Sequence, residues 1–266
     1  MKKRFTQTVI VAAGLDPSGG AGLWVDCAAI RATGCRPAGV PTVLTVQNGL
    51  SFSSAEVVSP GYLRDGMHAV MSTADVGAVK IGALKSAENV RAIAEILQKR
   101  PDIPVVLDPV ILSTSGGRLL DEEAVDALRA TLFPLLALVT PNLSEASDLT
   151  GLLVRDPQEM TAAAKKIARF GPKAVLVKGG HLGGAEATDV LLDTDGSIRV
   201  LETVQKAPYD VRGTGCALSS LIAGWIARGL EAAEAVQRSR RQLQGAIETA
   251  STSGAGPRTL GDFREC

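Results

Sequence analysis

The chain has 266 residues, of which 45% are apolar and 3% are aromatic, and its 28 basic residues balance its 28 acidic ones. This length allows one large domain or two small ones. Zero net charge excludes the strongly basic surface by which proteins bind nucleic acids or anionic membranes, and no apolar stretch approaches the roughly 20 residues of a membrane span. The four cysteines form no CxxC pair, so we expect neither a zinc site nor a disulfide framework, and a cytoplasmic location.

Short β-branched runs alternate along the chain with longer segments of helical spacing. Strands are predicted at Thr8 to Ala13, Gly39 to Val46, Val76 to Ile81, Val105 to Leu107, Ala137 to Thr140 and Ala174 to Val177. Helices are predicted at about 22–33, 60–73, 86–99, 121–131, 144–150 and 157–170. Continuous apolar strands separated by helices are typical of a parallel sheet with right-handed crossovers.

The C-terminal third departs from this alternation. Ala187 to Leu192 and Ile198 to Val204 flank an acidic, glycine-containing loop, a pattern that predicts a β-hairpin. Two helices are then predicted at about 216–228 and 231–250. The densest basic run lies in the second of these helices and is predicted to be a solvated face: Arg238, Arg240 and Arg241. No linker is long enough to divide the chain, so residues 1–266 are expected to form a single domain.

A glycine-rich loop follows the first predicted strand. It runs from Gly14 to Gly22 as Gly-Leu-Asp-Pro-Ser-Gly-Gly-Ala-Gly and leads into a helix that carries Asp26. Glycines let the backbone approach a ligand closely, and a helix N-terminus offers N–H groups to anions. The loop is not a Walker A motif, because no Gly-Lys-Ser/Thr follows. A tight strand-to-helix turn is the alternative interpretation.

Two carboxylates follow neighbouring strands of the predicted sheet. Asp108 comes directly after the fourth strand, and Glu145 follows the fifth strand, close to Asn142. Ligands of an open parallel sheet bind at the carboxyl ends of its strands. Carboxylates that converge there could hold Mg²⁺, which prefers oxygen ligands. The alternative is that Glu145 only caps its helix, where Asn142 or Ser144 could cap as well.

A lysine ends the sixth predicted strand. Lys178 is followed by Gly179, Gly180 and His181. A lysine at the end of a buried strand is costly unless it meets an anion, and a nucleotide phosphate is one candidate. His181 is interpreted as an ordinary loop histidine rather than a base.

The segment from Asp210 to Ser219 has the sharpest pattern in the chain. Gly213, Thr214 and Gly215 open an apolar helix, where successive backbone N–H groups could converge on one anion. Cys216 then lies in the first helical turn, where the positive end of the helix dipole favours a thiolate. The alternative is a cysteine that packs as a small apolar side chain.

These segments together contain the components of phosphoryl transfer. They offer a carboxylate pair for a metal, a cation for phosphate and an anion hole beside a candidate base. Positioning and charge neutralisation provide most of the catalysis in such reactions. An oxidoreductase is a weaker interpretation, because Gly19-Gly20-Ala21-Gly22 does not match the Gly-x-Gly-x-x-Gly dinucleotide motif.

The same motifs, taken in order, carry a family resemblance. They are Gly-Leu-Asp-Pro-Ser-Gly-Gly-Ala-Gly, Val-Gln-Asn, Val-Lys-Ile-Gly, Leu-Asp-Pro-Val, Thr-Ser-Gly, Thr-Pro-Asn-Leu-x-Glu-Ala, Val-Lys-Gly-Gly-His and Gly-Thr-Gly-Cys. From about residue 8 to residue 258 the chain resembles the hydroxymethylpyrimidine/phosphomethylpyrimidine kinases of the ribokinase-like superfamily. This resemblance implies a three-layer α/β/α fold with a central, mostly parallel sheet.

The resemblance also implies roles for the site residues. Gly213, Thr214, Gly215 and Cys216 would form the anion hole, with Cys216 next to the substrate hydroxymethyl group as its base or as an orienting group. The metal Mg²⁺ would be positioned by Asp108 and Glu145. Binding of the acceptor would involve Ala21, Asp26, Gln47, Ala83 and Val110, and binding of ATP would involve Asn142, Lys178 and Gly256, the last in the loop Ser253 to Pro257 beside the adenine.

Several positions depart from the family pattern, mostly in the walls of the acceptor pocket. Trp24 stands where Gln is usual, Gly49 where Thr is usual, Ala83 where Met is usual and Arg212 where His is usual. A bulky Trp24 and a short Ala83 could reshape the pocket. Arg212 could add a charge beside the anion hole, or point to solvent.

Three functions are compatible with these residues. The first hypothesis is an ATP- and Mg²⁺-dependent kinase of thiamin biosynthesis that acts on 4-amino-5-hydroxymethyl-2-methylpyrimidine, its monophosphate, or both. The close alternative is a pyridoxal or pyridoxine kinase, since related enzymes phosphorylate a hydroxymethyl group on another aromatic ring. The third is a catalytically silent protein that binds pyrimidine or nucleotide. The resemblance also suggests a homodimer with a small-molecule substrate and with neither nucleic-acid nor membrane partners.

Overall fold

A computed structural model describes residues 7–113, 117–180, 188–202, 210–252 and 256–264. Its strands are β1 (Thr8–Leu15), β2 (Arg36–Gln47), β3 (Phe52–Val57), β4 (Val76–Ile81), β5 (Val105–Leu107), β6 (Leu138–Val139), β7 (Val175–Val177), β8 (Thr188–Leu192), β9 (Ile198–Glu202), β10 (Val211–Arg212) and β11 (Arg258–Thr259). Its α-helices are α1 (Gly22–Ala32), α2 (Pro60–Met71), α3 (Ala87–Gln98), α4 (Glu122–Ala127), α5 (Leu143–Thr150), α6 (Pro157–Ala168), α7 (Thr214–Ala227) and α8 (Ala232–Glu248). A π-helical turn (Leu128–Leu132) and a 3-10 turn (Phe133–Leu135) follow α4.

One large sheet organises the fold. Its strand order is β3-β2-β1-β4-β5-β6-β7-β8-β9. The strands from β2 to β7 pair in parallel, whereas β3 at one edge and β8 and β9 at the other pair antiparallel. A short parallel pair, β10 with β11, stands apart from it. The predicted central, mostly parallel sheet is confirmed.

Alternate residues of the central strands face opposite layers of helices. On β1, Ile10 and Ala12 pack into one apolar cluster, and Val9, Val11 and Ala13 pack into another. Helices α2 to α6 contribute to the first cluster, and α1, α7 and α8 contribute to the second. A sheet buried on both faces needs continuously apolar strands, and this three-layer α/β/α arrangement is the predicted one.

The prediction missed the edge strand β3. It pairs with β2 from Val43 opposite Val57 to Gln47 opposite Phe52. No residue of β3 is buried, so its sequence lacks the apolar pattern that identifies a strand. The predicted hairpin is confirmed as β8 and β9, although residues 187 and 203–204 lie outside the described ranges.

Three of the four cysteines, and the helices named above, lie within the described ranges. Cys27, Cys35 and Cys216 are free thiols, and Cys266 falls outside those ranges. Among the described helices, none combines the length and the apolar character needed to span a bilayer.

Candidate active site

A cavity of about 430 Å³ lies at the carboxyl ends of the central strands, which is where an open α/β sheet binds its ligands. Every predicted site residue except one lines it: Ala21, Asp26, Gln47, Ala83, Asp108, Val110, Asn142, Glu145, Lys178, Gly213, Thr214, Gly215 and Cys216. The topology of the sheet therefore collects residues that are far apart in the sequence into one site.

Gly256 is the exception, since it is not among the residues that line the cavity. The next residue, Pro257, packs near Gly49, where a β-carbon would lie 3.2 Å from Pro257 Cδ. The other residues of that predicted loop, 253–255, lie outside the described ranges, as does His181.

The N-terminus of α7 forms one wall of the cavity. Its N-cap, Gly213, has a φ of +78°, a left-handed conformation in which a side chain is strained. A β-carbon at Gly213 would also lie 2.6 Å from the carbonyl oxygen of Gly20, so glycine lets the loop after β1 and the start of α7 meet closely. The first N–H groups of a helix have no intrahelical acceptor, and Thr214, Gly215 and Cys216 therefore present an anion-binding N-terminus to the cavity.

A buried ion pair lies against this helix N-terminus. Lys178 Nζ is 2.7 Å from Asp108 Oδ1, with the two side chains 13% and 3% exposed. Burial lowers the pKa of Lys178, but the carboxylates of Asp108 and Glu145 outweigh it and raise that pKa overall. A β-carbon at Gly215 would lie 3.2 Å from Lys178 Nζ and 3.7 Å from Asp108 Oδ2. The ammonium group and the α7 N–H groups can therefore act on the same phosphate.

Glu145 both caps α5 and lines the cavity. Its Oε2 accepts from the N–H of Asn142 at 2.8 Å, and Asn142 Oδ1 accepts from the N–H of Glu145 at 2.9 Å, which is a capping box. Burial raises the pKa of Glu145 to about 7, opposed by Lys178 and reinforced by Asp108. The capping interpretation and the site interpretation of Glu145 are thus compatible.

The donor set at this end of the cavity fits a magnesium ion that arrives with a nucleotide. Asp108 and Glu145 are buried carboxylates on the same cavity. Within the described ranges, no group of three or more His, Cys, Asp and Glu side chains is placed to hold a metal. Mg²⁺ is commonly bound through one or two carboxylates together with substrate phosphates and waters. Two carboxylates are therefore enough for this kind of metal site.

A second buried ion pair joins Asp26, a predicted acceptor-binding residue, to Lys80, for which no role was predicted, and it adjoins Cys216. Lys80 Nζ lies 2.8 Å from Asp26 Oδ1, and neither side chain is exposed. Ser220 Oγ donates to the same carboxylate oxygen at 2.8 Å. Burial lowers the pKa of Lys80, but the Asp26 carboxylate outweighs it and raises that pKa. A lysine inside the apolar strand β4 was the signal that could have identified this pair.

The surroundings of Cys216 favour its neutral thiol over the thiolate. Burial raises the pKa of Cys216 to about 11, and the charge of Asp26 adds to this effect. Lost solvation and a neighbouring carboxylate thus oppose the dipole of α7, which by itself would favour a thiolate. The thiol can orient a substrate group by hydrogen bonding, but it is a poor base at neutral pH.

The positions that depart from the family pattern have three different placements. Trp24 is 57% exposed and lies away from the cavity lining, so it does not reshape the pocket. Ala83 does line the cavity. Arg212 is buried, and it donates hydrogen bonds to Asp16 and Gln47. The expectation that Arg212 points to solvent is therefore excluded.

The other end of the cavity is lined by α8, which the sequence analysis did not assign to the site. Its lining residues are Arg240, Leu243, Gln244 and Ile247. Arg240 was predicted to be solvated, but its side chain is 14% exposed and its Nε lies 3.0 Å from Asp189 Oδ2. In turn, Asp189 Oδ1 accepts from the N–H of Gly179 at 2.9 Å. The basic run in the sequence did not predict that Arg240 pairs with Asp189.

Comparisons with known proteins agree with this geometry. The sequence model of the phosphomethylpyrimidine kinase family matches residues 16–260. A hydroxymethylpyrimidine/phosphomethylpyrimidine kinase of Rhizobium meliloti is 42% identical over 95% of this chain and 96% of that protein. A thiamine biosynthesis bifunctional protein of Geobacter sulfurreducens is 38% identical over 94% of this chain, which spans about half (51%) of that protein. The structure of an ADP complex of Bacillus subtilis pyridoxal kinase has a TM-score of 0.86 and 28% identity, and the match covers 96% of each chain. This similarity confirms the predicted ribokinase-like fold.

Proposed function

Because the chain belongs to the phosphomethylpyrimidine kinase family, we propose that it phosphorylates 4-amino-5-hydroxymethyl-2-methylpyrimidine, its monophosphate, or both, with ATP in thiamin biosynthesis. One observation carries this proposal. The cation of Lys178, the carboxylates of Asp108 and Glu145 and the N-terminus of α7 line one cavity. That combination matches the charges that develop during phosphoryl transfer.

The reaction moves one phosphoryl group. The bond between the γ-phosphorus of ATP and its bridging oxygen breaks, ADP leaves with that electron pair, and the acceptor oxygen forms the new bond. Lys178 and the N–H groups of Gly215 and Cys216 stabilise the negative charge on the phosphoryl oxygens. Because such transition states are loose, the attacking hydroxyl needs little activation. A neutral Cys216 thiol that orients the hydroxyl is sufficient, and the hydroxyl proton passes to solvent water as the new bond completes.

Asp108 and Glu145 would hold Mg²⁺ together with the nucleotide. When bound, the metal neutralises charge on the β- and γ-phosphates. Asp108 has a second task that needs no metal, since its Oδ1 holds the Lys178 ammonium at 2.7 Å against the start of α7.

We also propose that two copies of the chain pair through the edge formed by β2 and β3. This region exposes four apolar side chains: Leu44 and Val46 of β2, Leu50 of the turn that follows and Val57 of the edge strand β3 are 38%, 57%, 66% and 40% exposed. An exposed apolar patch beside an edge strand is a surface suited to pairing. Val46→Glu should convert a dimer to a monomer by light scattering, and an unchanged mass would exclude this edge as the interface.

We propose that the chain forms a single domain located in the cytoplasm. A nine-stranded sheet that draws on residues 8–202 supports one domain over residues 1–266. The three free thiols of the described ranges support a reducing, cytoplasmic location.

A pyridoxal or pyridoxine kinase is the second candidate function. It is favoured by the similarity in fold and sequence to the Bacillus subtilis pyridoxal kinase. Both candidate enzymes would bind the ATP phosphates at Lys178 and the N-terminus of α7. They differ in the aromatic ring of the acceptor.

One assay separates the candidates. ADP release is measured with Mg-ATP and, side by side, the hydroxymethylpyrimidine, its monophosphate and pyridoxine. Turnover with either pyrimidine supports the proposal, whereas turnover with pyridoxine alone would replace it with the second candidate. If none of the three acceptors causes ADP release, both candidate functions are contradicted, and a protein that only binds pyrimidine or nucleotide is favoured.

A further inference from the structure

Arg212 joins three walls of the acceptor end of the cavity. Its Nη2 donates to Asp16 Oδ2 and to Gln47 Oε1, each at 3.3 Å, and its Nη1 donates to Ser18 Oγ at 3.4 Å. Asp16 and Ser18 belong to the loop after β1, and Gln47 is the last residue of β2. Arg212 itself ends β10 and directly precedes Gly213, the N-cap of α7. One guanidinium therefore connects the ring-binding wall to the start of the anion hole.

The orientation of the Gln47 amide is determined from both sides. A guanidinium group has only donors, so the Gln47 atom that faces Arg212 is the amide oxygen. On the opposite side, Gln47 Nε2 lies 3.0 Å from Thr45 Oγ1. The Thr45 hydroxyl donates its single hydrogen to the carbonyl oxygen of Leu15 at 2.9 Å, and so it must accept from the amide. An inverted amide would lose both hydrogen bonds.

The charge of Arg212 is neutralised where it lies. The guanidinium and the carboxylate of Asp16 form an ion pair at 3.3 Å, with the side chains 5% and 2% exposed. The pair adds no net charge to the cavity. Arg212 therefore acts through the geometry of its hydrogen bonds, whereas attraction of the phosphates falls to Lys178.

The guanidinium fits because residue 49 is a glycine. Gly49 has a φ of +88°, and a β-carbon there would lie 2.6 Å from Arg212 Nη1. Real β-carbons essentially never approach another heavy atom that closely. Any side chain at position 49 would displace Arg212, so the two positions are coupled.

We propose that Arg212 is a positioning residue that fixes the Gln47 amide and so sets which way round the aromatic acceptor binds. This inference rests on the proposed function. An amino group next to a ring nitrogen presents a donor beside an acceptor, which is the complement of a carboxamide. With Gln47 Oε1 on the Arg212 side, the amino group is directed toward Arg212 and the ring nitrogen toward Thr45.

That orientation brings the reacting group to the anion hole. In the hydroxymethylpyrimidine, the hydroxymethyl-bearing carbon is next to the amino-bearing carbon and on the side away from the ring nitrogen. The hydroxymethyl group therefore extends past Arg212 toward the N-terminus of α7. Pyridoxine has no amino group next to its ring nitrogen and gains nothing from a fixed amide.

The test compares Arg212→Met with wild type in the full-length protein. The readouts are calorimetric Kd and steady-state KM for the hydroxymethylpyrimidine, KM for Mg-ATP, and turnover of pyridoxine. We expect the Kd and KM for the pyrimidine to rise about tenfold, the scale of one lost hydrogen bond of 1.4 kcal/mol. The KM for Mg-ATP and the turnover of pyridoxine should change less than about twofold in Arg212→Lys, which keeps a positive charge beside Asp16. As a control, Arg64→Met removes an arginine on the exposed surface of α2 and should leave every value unchanged.

The coupling to Gly49 gives an independent readout. Gly49→Ala should reproduce the loss of pyrimidine affinity. In the Arg212→Met background it should cost stability through its strained φ of +88° but should lower the affinity no further, because the displaced guanidinium is already absent. Additive losses of affinity would overturn the proposal, as would wild-type pyrimidine affinity in Arg212→Met or an equal rise in the KM for Mg-ATP in Arg212→Lys. If Arg212→Met does not fold, Arg212→Lys keeps a charge for Asp16 but cannot span Asp16 and Gln47, and it should show the same loss of pyrimidine affinity.

Wild-type protein that binds no pyrimidine would overturn both the inference and the proposed function. Normal turnover of the pyrimidine, with unchanged affinity in the variants, would overturn the inference alone.

Discussion

The Lys80 ammonium group lies 2.8 Å from the Asp26 carboxylate, with neither side chain exposed to solvent. Lys80 comes from the central strand β4, and Asp26 comes from α1. Ser220 of α7 donates to the same carboxylate oxygen, so the pair joins the sheet to the helix that carries the anion hole. Removing one partner of a buried pair leaves the other charge uncompensated, which costs much more than removing an exposed pair.

Lys80→Met should therefore lower the free energy of unfolding by about 3–5 kcal/mol, measured by urea denaturation. Replacing both partners, as Lys80→Met with Asp26→Leu, should recover most of that loss while turnover stays low, because both residues line the cavity. Lys85→Met is the matched control, since the Lys85–Asp121 pair is partly exposed and is worth at most about 1 kcal/mol. Equal losses of unfolding free energy in Lys80→Met and Lys85→Met would contradict the conclusion that the buried Lys80–Asp26 pair stabilises the fold more than the partly exposed pair does.

Gly215→Ala should impair catalysis more than stability. The added methyl group would lie 3.2 Å from Lys178 Nζ and would push the ammonium away from the start of α7. We expect kcat to fall at least about tenfold, while the better helix propensity of alanine, about 1 kcal/mol, offsets the crowding. Gly61→Ala in α2 is the control, because its nearest contact would be Ser59 Oγ at 4.0 Å. Wild-type turnover in Gly215→Ala would contradict a role for Lys178 in binding the transferred phosphoryl group.

The stability of the metal-free protein should fall as pH rises from about 4.5 to about 7. Burial raises the pKa of Glu145 from 4.5 to about 7, so the folded protein holds that proton more tightly than the unfolded chain. The contribution is complete below about pH 4.5 and is lost by about pH 7; it amounts to about 3 kcal/mol.

Glu145→Gln isolates this effect. Glutamine stays neutral and still completes the capping box with Asn142. Unfolding free energies of both proteins, measured with a chelator between about pH 4.5 and pH 8, should diverge as pH rises, with the variant more stable at the alkaline end. Parallel curves would contradict the raised pKa of Glu145.

Cys216→Ala should reduce kcat by about 100-fold, the scale of one lost transition-state hydrogen bond, with an unchanged melting temperature. Cys216→Ser should retain more turnover, because a hydroxyl can still orient the acceptor. Alkylation of wild-type Cys216 should accelerate only as pH approaches its pKa of about 11. Half-maximal alkylation near neutral pH would instead indicate a thiolate base.

The part of the site around Lys178, Asp108 and the N-terminus of α7 could be predicted from sequence, because backbone geometry restricts which residue types can stand there. Only glycine suits the left-handed N-cap at Gly213, and a lysine or carboxylate directly after a buried strand needs a partner at the sheet edge. Lys178 and Asp108 meet that condition, Glu145 lies in the first turn of the helix that follows β6, and the structure brings all three to one cavity.

The acceptor end and the α8 wall could not be predicted in the same way. Leu243 and Ile247 line the cavity, but their spacing is the same whether a helix faces a core or a ligand. Trp24 is close to Asp26 in sequence, yet residues two apart on a helix face different directions, and Trp24 faces solvent. The contact between Gly49 and Arg212 joins segments that no local pattern relates.

Mass spectrometry of the pyrimidine after incubation with Mg-ATP tests the proposed phosphoryl transfer most directly. Wild-type protein should convert the hydroxymethylpyrimidine or its monophosphate to a product that carries one more phosphoryl group, with one ADP formed for each. Lys178→Met should make that product at least about 100-fold more slowly. Release of ADP without any phosphorylated pyrimidine, or an undiminished rate in Lys178→Met, would contradict a transfer site built on Lys178 and the N-terminus of α7.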